Sequence, residues 1–550
     1  MSDTPESETD QEILLGVSYP ENKPPDEAKM ELIIHPLLPN PAVNPLSPKS
    51  EVNPFSPKSE VNPTSPGPPL QGSCRLTLTV LCFFGIYHLM ALRFNISMGI
   101  VCMSSDPTDS QRSGSICNAD EEKRGLLFSE CLMDLQESNS TGFDDSSQTL
   151  EFSWSKTLQG SILSSFYYGY IITQVVGGYT SDRWGGRTVL LYGMFILSLS
   201  TLFIPVAARI HPYLLVGIRI IQGLASGFAF PSVYNIFTAW SHPTEKATLM
   251  SISFAGIPTA TVTIYPVVSW FCESGILGGW PMAFYLPGTT GLVWCILFSQ
   301  LIYNTPEEHP RISSGELLYL EKGEKQDVVL TRHRVPWKLI LRSRAVHCLW
   351  ITHLCSSFGY YLIIINISLF IREALNFSVI YNGFLSMLPS LGMLIFTCTG
   401  KLFDCLRSKS LMSLTNLRKV FNSIAFFIPA ACFLTLRFIP QHMKVGHVAL
   451  LSLGLTIHEL AMTGGFYFSH SDIGGPHSGV LFGITNTFAQ IPGFLTPILV
   501  SSMTQHGTLD EWYTVFQVSG IIYIIGGFVY LGFGSSELEP WAKKDAVELV

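Results

Sequence analysis

Twelve long apolar stretches run through this chain, and no other feature limits its fold as tightly. They lie near 75–103, 157–181, 187–208, 211–238, 247–272, 280–303, 345–373, 380–403, 417–438, 446–469, 477–503 and 511–534. A bilayer core about 30 Å thick is crossed by about 20 apolar residues in a helix. A backbone facing lipid must satisfy its own hydrogen bonds, so the stretches predict an all-α membrane protein with twelve transmembrane helices. The charge content agrees. Only 13% of residues are Asp, Glu, Lys or Arg, about half the share in soluble domains. The net charge of −8 comes in good part from the soluble tail and says little about partners. There is no basic face of the kind that binds nucleic acid.

Residues 1–73 read differently. They are rich in Pro, Ser and Glu and nearly free of aromatic residues, a composition that predicts a disordered tail. A nine-residue repeat, Asn-Pro-x-Ser-Pro-Lys-Ser-Glu-Val, starts at Asn44 and Asn53 and decays from Asn62. Its Ser-Pro pairs suit either regulated phosphorylation or a neutral expansion. No signal peptide precedes the repeat, so the tail is expected in the cytosol. Asp10 stands four places before the pair Leu14-Leu15, a pattern that sorting adaptors read in endosomal and lysosomal proteins.

Orientation follows from Lys and Arg. The segments near 304–344 and 404–419 are basic, and with Arg183 and Arg187 they follow even-numbered stretches. Both termini are then cytosolic. The expected organisation is a tail (1–73), six helices (74–303), a cytosolic linker (304–344), six more helices (345–538) and a short cytosolic tail (539–550). The loop 104–156 faces the lumen or exterior. It is acidic and carries the sequon Asn139-Ser-Thr141, which that side makes usable. Cys117 and Cys131 share this loop and are candidates for a disulfide in an oxidising compartment. Most other cysteines lie inside the stretches and read as packing residues. No metal-ligand spacing appears.

The segment Gly178-Tyr-Thr-Ser-Asp182-Arg183-Trp-Gly185-Gly-Arg187 resembles the loop between the second and third helices of major facilitator transporters. Charges at that spacing predict a short clamp against neighbouring helix ends, aided by a helix dipole. A weaker copy, Gly400-Lys-Leu-Phe-Asp404, sits between the eighth and ninth stretches. That placement implies two six-helix halves, which in transporters rock about a midplane site.

Ionisable residues inside a membrane are expensive and mark candidate sites. Arg93 lies within the first stretch. In the fourth, Arg219, Gln222 and Ser226 share one helical face. A guanidinium facing a cavity offers a fork of donors suited to a carboxylate or phosphate. The alternatives are snorkelling for Arg93 and a structural tie between helices for Arg219. His88, His458 and Glu459 also lie in or near the stretches, as structural hydrogen-bonders or proton carriers.

Several segments together resemble one family, that of sialin, the vesicular glutamate transporters and the type I sodium–phosphate cotransporters. They are Leu92-Arg-Phe-Asn-Ile-Ser97, the run Trp154 to Tyr170, Trp280-Pro-Met-Ala-Phe-Tyr285, Asn376 to Ser386, Ser469-His470-Ser-Asp472 and Gly483 to Gly493. The resemblance spans roughly residues 75–542. It implies transport of sialic acid, acidic amino acids, urate, other organic anions or phosphate. It also implies that Arg93 coordinates substrate, that Tyr361 faces the cavity from the seventh helix, and that Asn486 and Thr487 line the opposite half. Sialin-like members carry two glutamates on the fourth helix and a histidine shortly after, residues linked to proton coupling. This chain has Gln222, Ser226 and Tyr234 there, none of which carries a proton near neutral pH.

The expectation is a secondary active transporter of organic anions or phosphate, driven by membrane potential, an ion gradient or exchange. Na+, H+ and Cl− are candidate coupling ions, and no cofactor is expected. Two alternatives stand. One is a proton-coupled symporter of sialic acid or an acidic sugar, with His458 or Glu459 as the relocated proton site. The other is a non-transporting receptor or scaffold. Nothing supports an enzyme, since there is no nucleotide-binding glycine loop and no HExxH motif. The expected setting is the lysosomal, endosomal or plasma membrane, with a small anion, the bilayer and sorting adaptors as partners.

Overall fold

The computed structural model describes residues 68–105, 151–242, 245–331 and 335–542. Asp10, Leu14, Leu15, Cys117, Cys131 and Asn139, with the sorting, disulfide and glycosylation expectations attached to them, lie outside these residues.

Every one of the twelve stretches is helical. We label them α1 (Cys74–Met103), α2 (Lys156–Trp184), α3 (Gly186–Leu202, bent by 46° into Ile204–Ile210), α4 (Pro212–Trp240), α5 (Thr248–Ser274) and α6 (Met282–Leu301). The second group is α7 (Arg344–Glu373), α8 (Val379–Ser408), α9 (Leu414–Phe438), α10 (Lys444–Gly474), α11 (Ser478–Ala489 with Ile491–Met503) and α12 (Leu509–Phe533). Among the described residues, nine of these are long and apolar enough to cross a membrane singly, and bent α3 makes ten. The other two miss for readable reasons. Helix α2 is long but rich in Ser, Gly, Gln and Tyr, and α11 is broken at Gln490, where Pro492 can donate no hydrogen bond to the preceding turn. A helix at Ser314–Thr331 lies in the linker. The only strands among the described residues are two-residue pieces, with Ser104–Ser105 parallel to Phe152–Ser153.

Burial sorts the helices into inner and outer. In α7, 83% of the apolar window is buried, and in α1, 67%, against 33–50% in the other single-span helices. Four helices keep apolar stripes exposed at helical spacing. These are Tyr192, Phe195, Ile196 and Leu199 on α3, Val293, Ile296 and Leu297 on α6, Val420, Ile424 and Ile428 on α9, and Ile521, Ile525 and Phe528 on α12. An apolar stripe on the outside is a lipid-facing surface. Helices α1 and α7, which carry the buried polar residues Arg93, Asn95, His353 and Asn366, form the interior.

The two groups of six meet along α2 and α11, α5 and α8, and α1 and α7. Helix α2 packs along Ile491–Met503, the part of α11 nearer the 104–156 loop, and barely touches Ser478–Ala489. On the loop face, Lys156 pairs with Glu373. Arg372 donates to the carbonyls of Val101 (2.5 Å) and Ser104 (2.7 Å). The groups are therefore joined at the loop face and diverge toward the opposite face, which carries Arg187.

One expectation needs correction. Most cysteines inside the stretches read as packing residues, yet Cys102 and Cys272, at the ends of two stretches, form a disulfide with a Cα–Cα distance of 6.0 Å. They close the loop-face ends of α1 and α5, where two helix termini can approach, so position at a helix end outweighs the apolar context.

Candidate substrate site between the two helix groups

Arg93 sits in the middle of α1, only 4% exposed. Its Nη2 donates to the Tyr361 hydroxyl of α7 at 3.1 Å and lies 3.4 Å from Oε1 of Gln490. Tyr361 in turn donates to the same Gln490 oxygen at 2.6 Å. Gln490 occupies the break in α11, where the interrupted helix lets its side chain reach inward. Its Nε2 donates to Asn486 at 3.3 Å. Residues from both groups thus converge on one guanidinium.

Aromatic rings complete the enclosure. The Arg93 guanidinium carbon lies 4.6 Å from the Tyr167 ring centre, 5.0 Å from Tyr170, 5.1 Å from Phe166 and 5.3 Å from Tyr361. Ring faces carry negative quadrupole and attract a desolvated cation. They make burial of the charge tolerable but do not neutralise it. Among the described residues, Arg93 has no carboxylate partner, and its Nε is buried without a hydrogen-bond partner.

Arg219 of α4, 1% exposed, lies behind this site. Its Nη2 donates to the backbone carbonyl of Arg93 at 3.2 Å, and its Nη1 donates to Gln222 Oε1 at 2.8 Å. Gln222 continues to the Thr201 hydroxyl at 2.7 Å, and Ser226 bonds back to the Gln222 carbonyl at 2.6 Å. Arg219 also stacks on the far side of Phe166, at 4.9 Å. It ties α4 to α1, and it too has no carboxylate partner among the described residues. The close approach of α2 to α4 makes the arrangement possible. A Cβ on Gly223 would fall 1.8 Å from the Phe166 carbonyl oxygen, and one on Gly169 2.2 Å from that of Ile220. Glycine at both points lets the backbones touch and brings the Phe166–Tyr170 face onto both arginines.

The remaining expected residues divide. Asn486 reaches the site through Gln490, whereas the Thr487 hydroxyl donates to the Gly483 carbonyl of its own helix. His458 is fully buried inside the second group, bonded to Ser356 at 2.9 Å and packed on Phe426 and Tyr523. Glu459 is half-buried, with its Oε2 enclosed and without a hydrogen-bond partner among the described residues. Tyr234 is 40% exposed at the diverging side, with its ring 6.4 Å from that of Phe482. His88 bonds the Phe84 carbonyl of its own helix.

Of the charged residues in the Gly178–Arg187 motif, the side chain of Asp182 lies outside what the structure describes, and Arg183 and Arg187 are described. Gly185 turns the chain with φ +83°, and a Cβ there would meet Asn304 at 2.4 Å. Arg187 then donates to the carbonyls of Ser299 and Ile302, both at 2.5 Å, which close the C-terminal end of α6. A cation at that terminus answers both the unsatisfied carbonyls and the dipole. Arg183 donates to the Tyr179 hydroxyl at the surface, at 3.2 Å. No room is contested at Gly178 or Gly400. Asp404 is exposed, and in the second group Arg418 ties helix ends instead, pairing with Asp472 at 2.9 Å and donating to the Gly464 carbonyl at 3.2 Å.

Sequence reasoning missed Gln490 and gave the α2 aromatics no role. A glutamine two places before a proline inside an apolar stretch was the available sign for the first. Two tyrosines and a phenylalanine on one face of a Gly- and Ser-rich helix were the sign for the second.

A twelve-span helical chain with one enclosed polar site between two groups of six defines a membrane transporter of the alternating-access class. The Major Facilitator Superfamily pattern matches residues 126–497. Sialin from Homo sapiens is 33% identical over 480 residues, which is 87% of this chain and 92% of sialin. Vesicular glutamate transporter 2.2 from Danio rerio is 32% identical over 401 residues, covering 71% and 67% of the two chains. Two solved structures share the fold: the inward-open xylose transporter XylE from E. coli (15% identity, 86% and 99% covered, TM-score 0.56) and an inward-facing bacterial homologue of the human lysosomal transporter Spinster (11% identity, 86% and 98% covered, TM-score 0.56). The chain belongs to the major facilitator superfamily and, within it, to the family of sialin and the vesicular glutamate transporters; it is a transporter and not an enzyme.

Proposed function

We propose that this protein moves small organic anions across its membrane by alternating access, with Arg93 as the group that receives the anionic end of the substrate. One observation carries the reading. A buried guanidinium lies between the two helix groups, held by neutral hydrogen-bond acceptors and ring faces, with no carboxylate among the described residues to neutralise it. A buried charge without a partner is costly, and a substrate carboxylate or phosphate supplies the partner. Relatives named for glutamate transport are in keeping with a carboxylate-bearing cargo.

Membrane potential, an ion gradient or exchange drives transport in this reading, because Gln222, Ser226 and Tyr234 offer no proton site in the first group. The loop face corresponds to the lumen or exterior and the Arg187 face to the cytosol, in a lysosomal, endosomal or plasma membrane. A second reading, proton coupling through Glu459, draws on its enclosed and unpartnered carboxylate oxygen. The test is uptake of labelled sialic acid, glutamate, urate, para-aminohippurate and phosphate into proteoliposomes, with membrane potential and pH gradient imposed separately. Uptake under potential alone supports the first reading. A strict need for the pH gradient, lost in Glu459→Gln, supports the second. No uptake of any anion by folded protein overturns both.

A further inference from the structure

Away from Arg93, three side chains of the second helix group form a chain that the transport reading does not use. His353 of α7, Thr485 of α11 and His470 of α10 are all buried, at 2%, 0% and 2% exposure. His353 Nδ1 lies 3.1 Å from Thr485 Oγ1, and His470 Nε2 lies 2.8 Å from the same oxygen. His470 Nδ1 lies 2.8 Å from the Tyr467 carbonyl.

Donor counting fixes the tautomers. A carbonyl only accepts, so His470 carries its proton on Nδ1, and its Nε2 accepts from the Thr485 hydroxyl. The hydroxyl has one hydrogen. The Phe482 carbonyl, at 3.2 Å, is the more distant acceptor for it. With that hydrogen given to His470, the His353 contact requires Nδ1–H donating to Thr485, which leaves Nε2 of His353 as a free base. Hydrogens are assigned here from the bonding pattern.

From this geometry we infer that His353, Thr485 and His470 form a proton-binding relay within the C-terminal half. A proton taken up at His353 Nε2 lets Nδ1 release its own to Thr485 Oγ1, and the hydroxyl hydrogen passes to His470 Nε2. His353 ends neutral as the Nε2–H tautomer, and His470 ends as imidazolium, still donating to Tyr467. One proton enters; two N–H bonds and one O–H bond form while one N–H and one O–H break, both hydrogen bonds to Thr485 survive with their direction reversed, and the bond to Tyr467 is unchanged. The site therefore stores a proton without losing a contact, and joins α7, α10 and α11 through one hydroxyl.

The rest of the enclosure is largely aromatic. The rings of Phe466, Tyr467 and Phe482 lie against both imidazoles. The other ionisable groups nearby are Glu459, His458 and Asp472 on α10, Arg418 on α9, which is paired with Asp472, Tyr360 on α7, Tyr523 and Tyr530 on α12, Tyr234 on α4, and His477 before α11.

The experiment uses the full chain in liposomes, labelled with 13C,15N-histidine, and solid-state NMR between about pH 8 and pH 5, the range in which histidine is the natural switch. His353→Asn and His470→Asn assign the signals. The expected result is two Nδ1–H neutral rings at the alkaline end. On acidification His470 becomes imidazolium and His353 changes to the Nε2–H form in the same step. Thr485→Val should abolish the tautomer change of His353, and Thr485→Ser should restore it. Both histidines staying neutral to pH 5, or His353 keeping Nδ1–H while His470 charges, overturns the relay. A second arm measures potential-driven para-aminohippurate and glutamate uptake against pH; it alone rests on the transport reading. A pH dependence of threefold or more that is lost in Thr485→Val and kept in Thr485→Ser is expected. An identical pH profile in Thr485→Val contradicts a role in transport. Absence of uptake in every protein counts against the anion reading, and the NMR arm still decides the relay.

Discussion

Arg219 donates from its guanidinium to the backbone carbonyl of Arg93 at 3.2 Å, so one buried arginine braces the helix that presents the other. The two have different duties. Arg93 faces residues of both helix groups, and Arg219 holds α1 against α4. Replacing Arg219 by Met removes this bond and the one to Gln222. Leaving buried partners unmet costs about 1–3 kcal/mol. The predicted result is a lower melting temperature in detergent together with weakened uptake, read by thermal-shift fluorescence and transport side by side.

Tyr361 is the hinge of the polar triangle, accepting from Arg93 and donating to Gln490 at 2.6 Å. Tyr361→Phe keeps the ring over the guanidinium and removes only the hydroxyl. One hydrogen bond to a charged group is worth about 1.5–3 kcal/mol. Uptake of the preferred anion is expected to fall by about tenfold or more, with a lowered melting temperature but protein that still folds and purifies. Unchanged uptake would place the hydroxyl outside the working site.

Arg187 closes the end of α6 through two carbonyls. Arg187→Ala leaves both unmet and removes a cation from a helix C-terminus, a loss of about 1–2 kcal/mol. Thermal stability should drop, with Arg187→Lys recovering part of it because the charge returns without the fork. Equal melting temperatures for Ala and Arg would show that the clamp carries no stability.

The Lys156–Glu373 pair joins the two groups at the loop face. Alternating access requires that face to open, so weakening the pair should favour opening. Ser501 of α11 sits against Gly160 of α2 in the same seam and is nearly buried. A cysteine placed at Ser501 is predicted to react faster with an impermeant maleimide when Glu373→Gln is also present. An unchanged labelling rate would mean the pair does not hold the face shut.

The loop face also carries a pH-sensitive carboxylate. Arg209 pairs with Glu151 at 2.6 Å and, with a hydrogen bond from Trp280 at 2.8 Å, holds its carboxyl below the usual range despite partial burial. A depressed folded-state pKa contributes stability above the unfolded value, about pH 4.3, and that contribution is lost as pH falls through the lower folded value. The side chain is 37% exposed, so solvent screening limits the effect to well under about 1 kcal/mol. Glu151→Gln should lower the melting temperature slightly at pH 7 and by less at pH 3. A larger loss at pH 3 would reverse the assignment.

Much of this architecture was legible in the residues. Apolar runs of bilayer length marked all twelve helices, and Arg93 and Tyr361, both picked out in the sequence, are hydrogen-bonded to each other. What the sequence concealed depends on breaks and approaches between distant segments. Gln490 enters the site because α11 is interrupted there, and Pro492 hinted at the break without saying which side chain it would aim inward. The tyrosines of α2 reach Arg93 because Gly169 and Gly223 let two backbones touch. Thr487 was expected beside Asn486, but neighbours on a helix point about 100° apart, and only Asn486 turns toward Gln490. The Cys102–Cys272 bridge spans 170 residues and is visible only once α1 and α5 end side by side.

The central claim is that the Arg93 guanidinium, which has no carboxylate partner among the described residues, receives the anion. Its most direct test compares the wild type with Arg93→Lys and Arg93→Ala in proteoliposomes, using the anion panel under an imposed potential. Thermal-shift and size-exclusion profiles are taken on the same preparations. The account predicts robust uptake of at least one anion by the wild type, a loss of tenfold or more in Arg93→Lys, and uptake at background in Arg93→Ala with the fold intact. Undiminished uptake by correctly folded Arg93→Ala would contradict it.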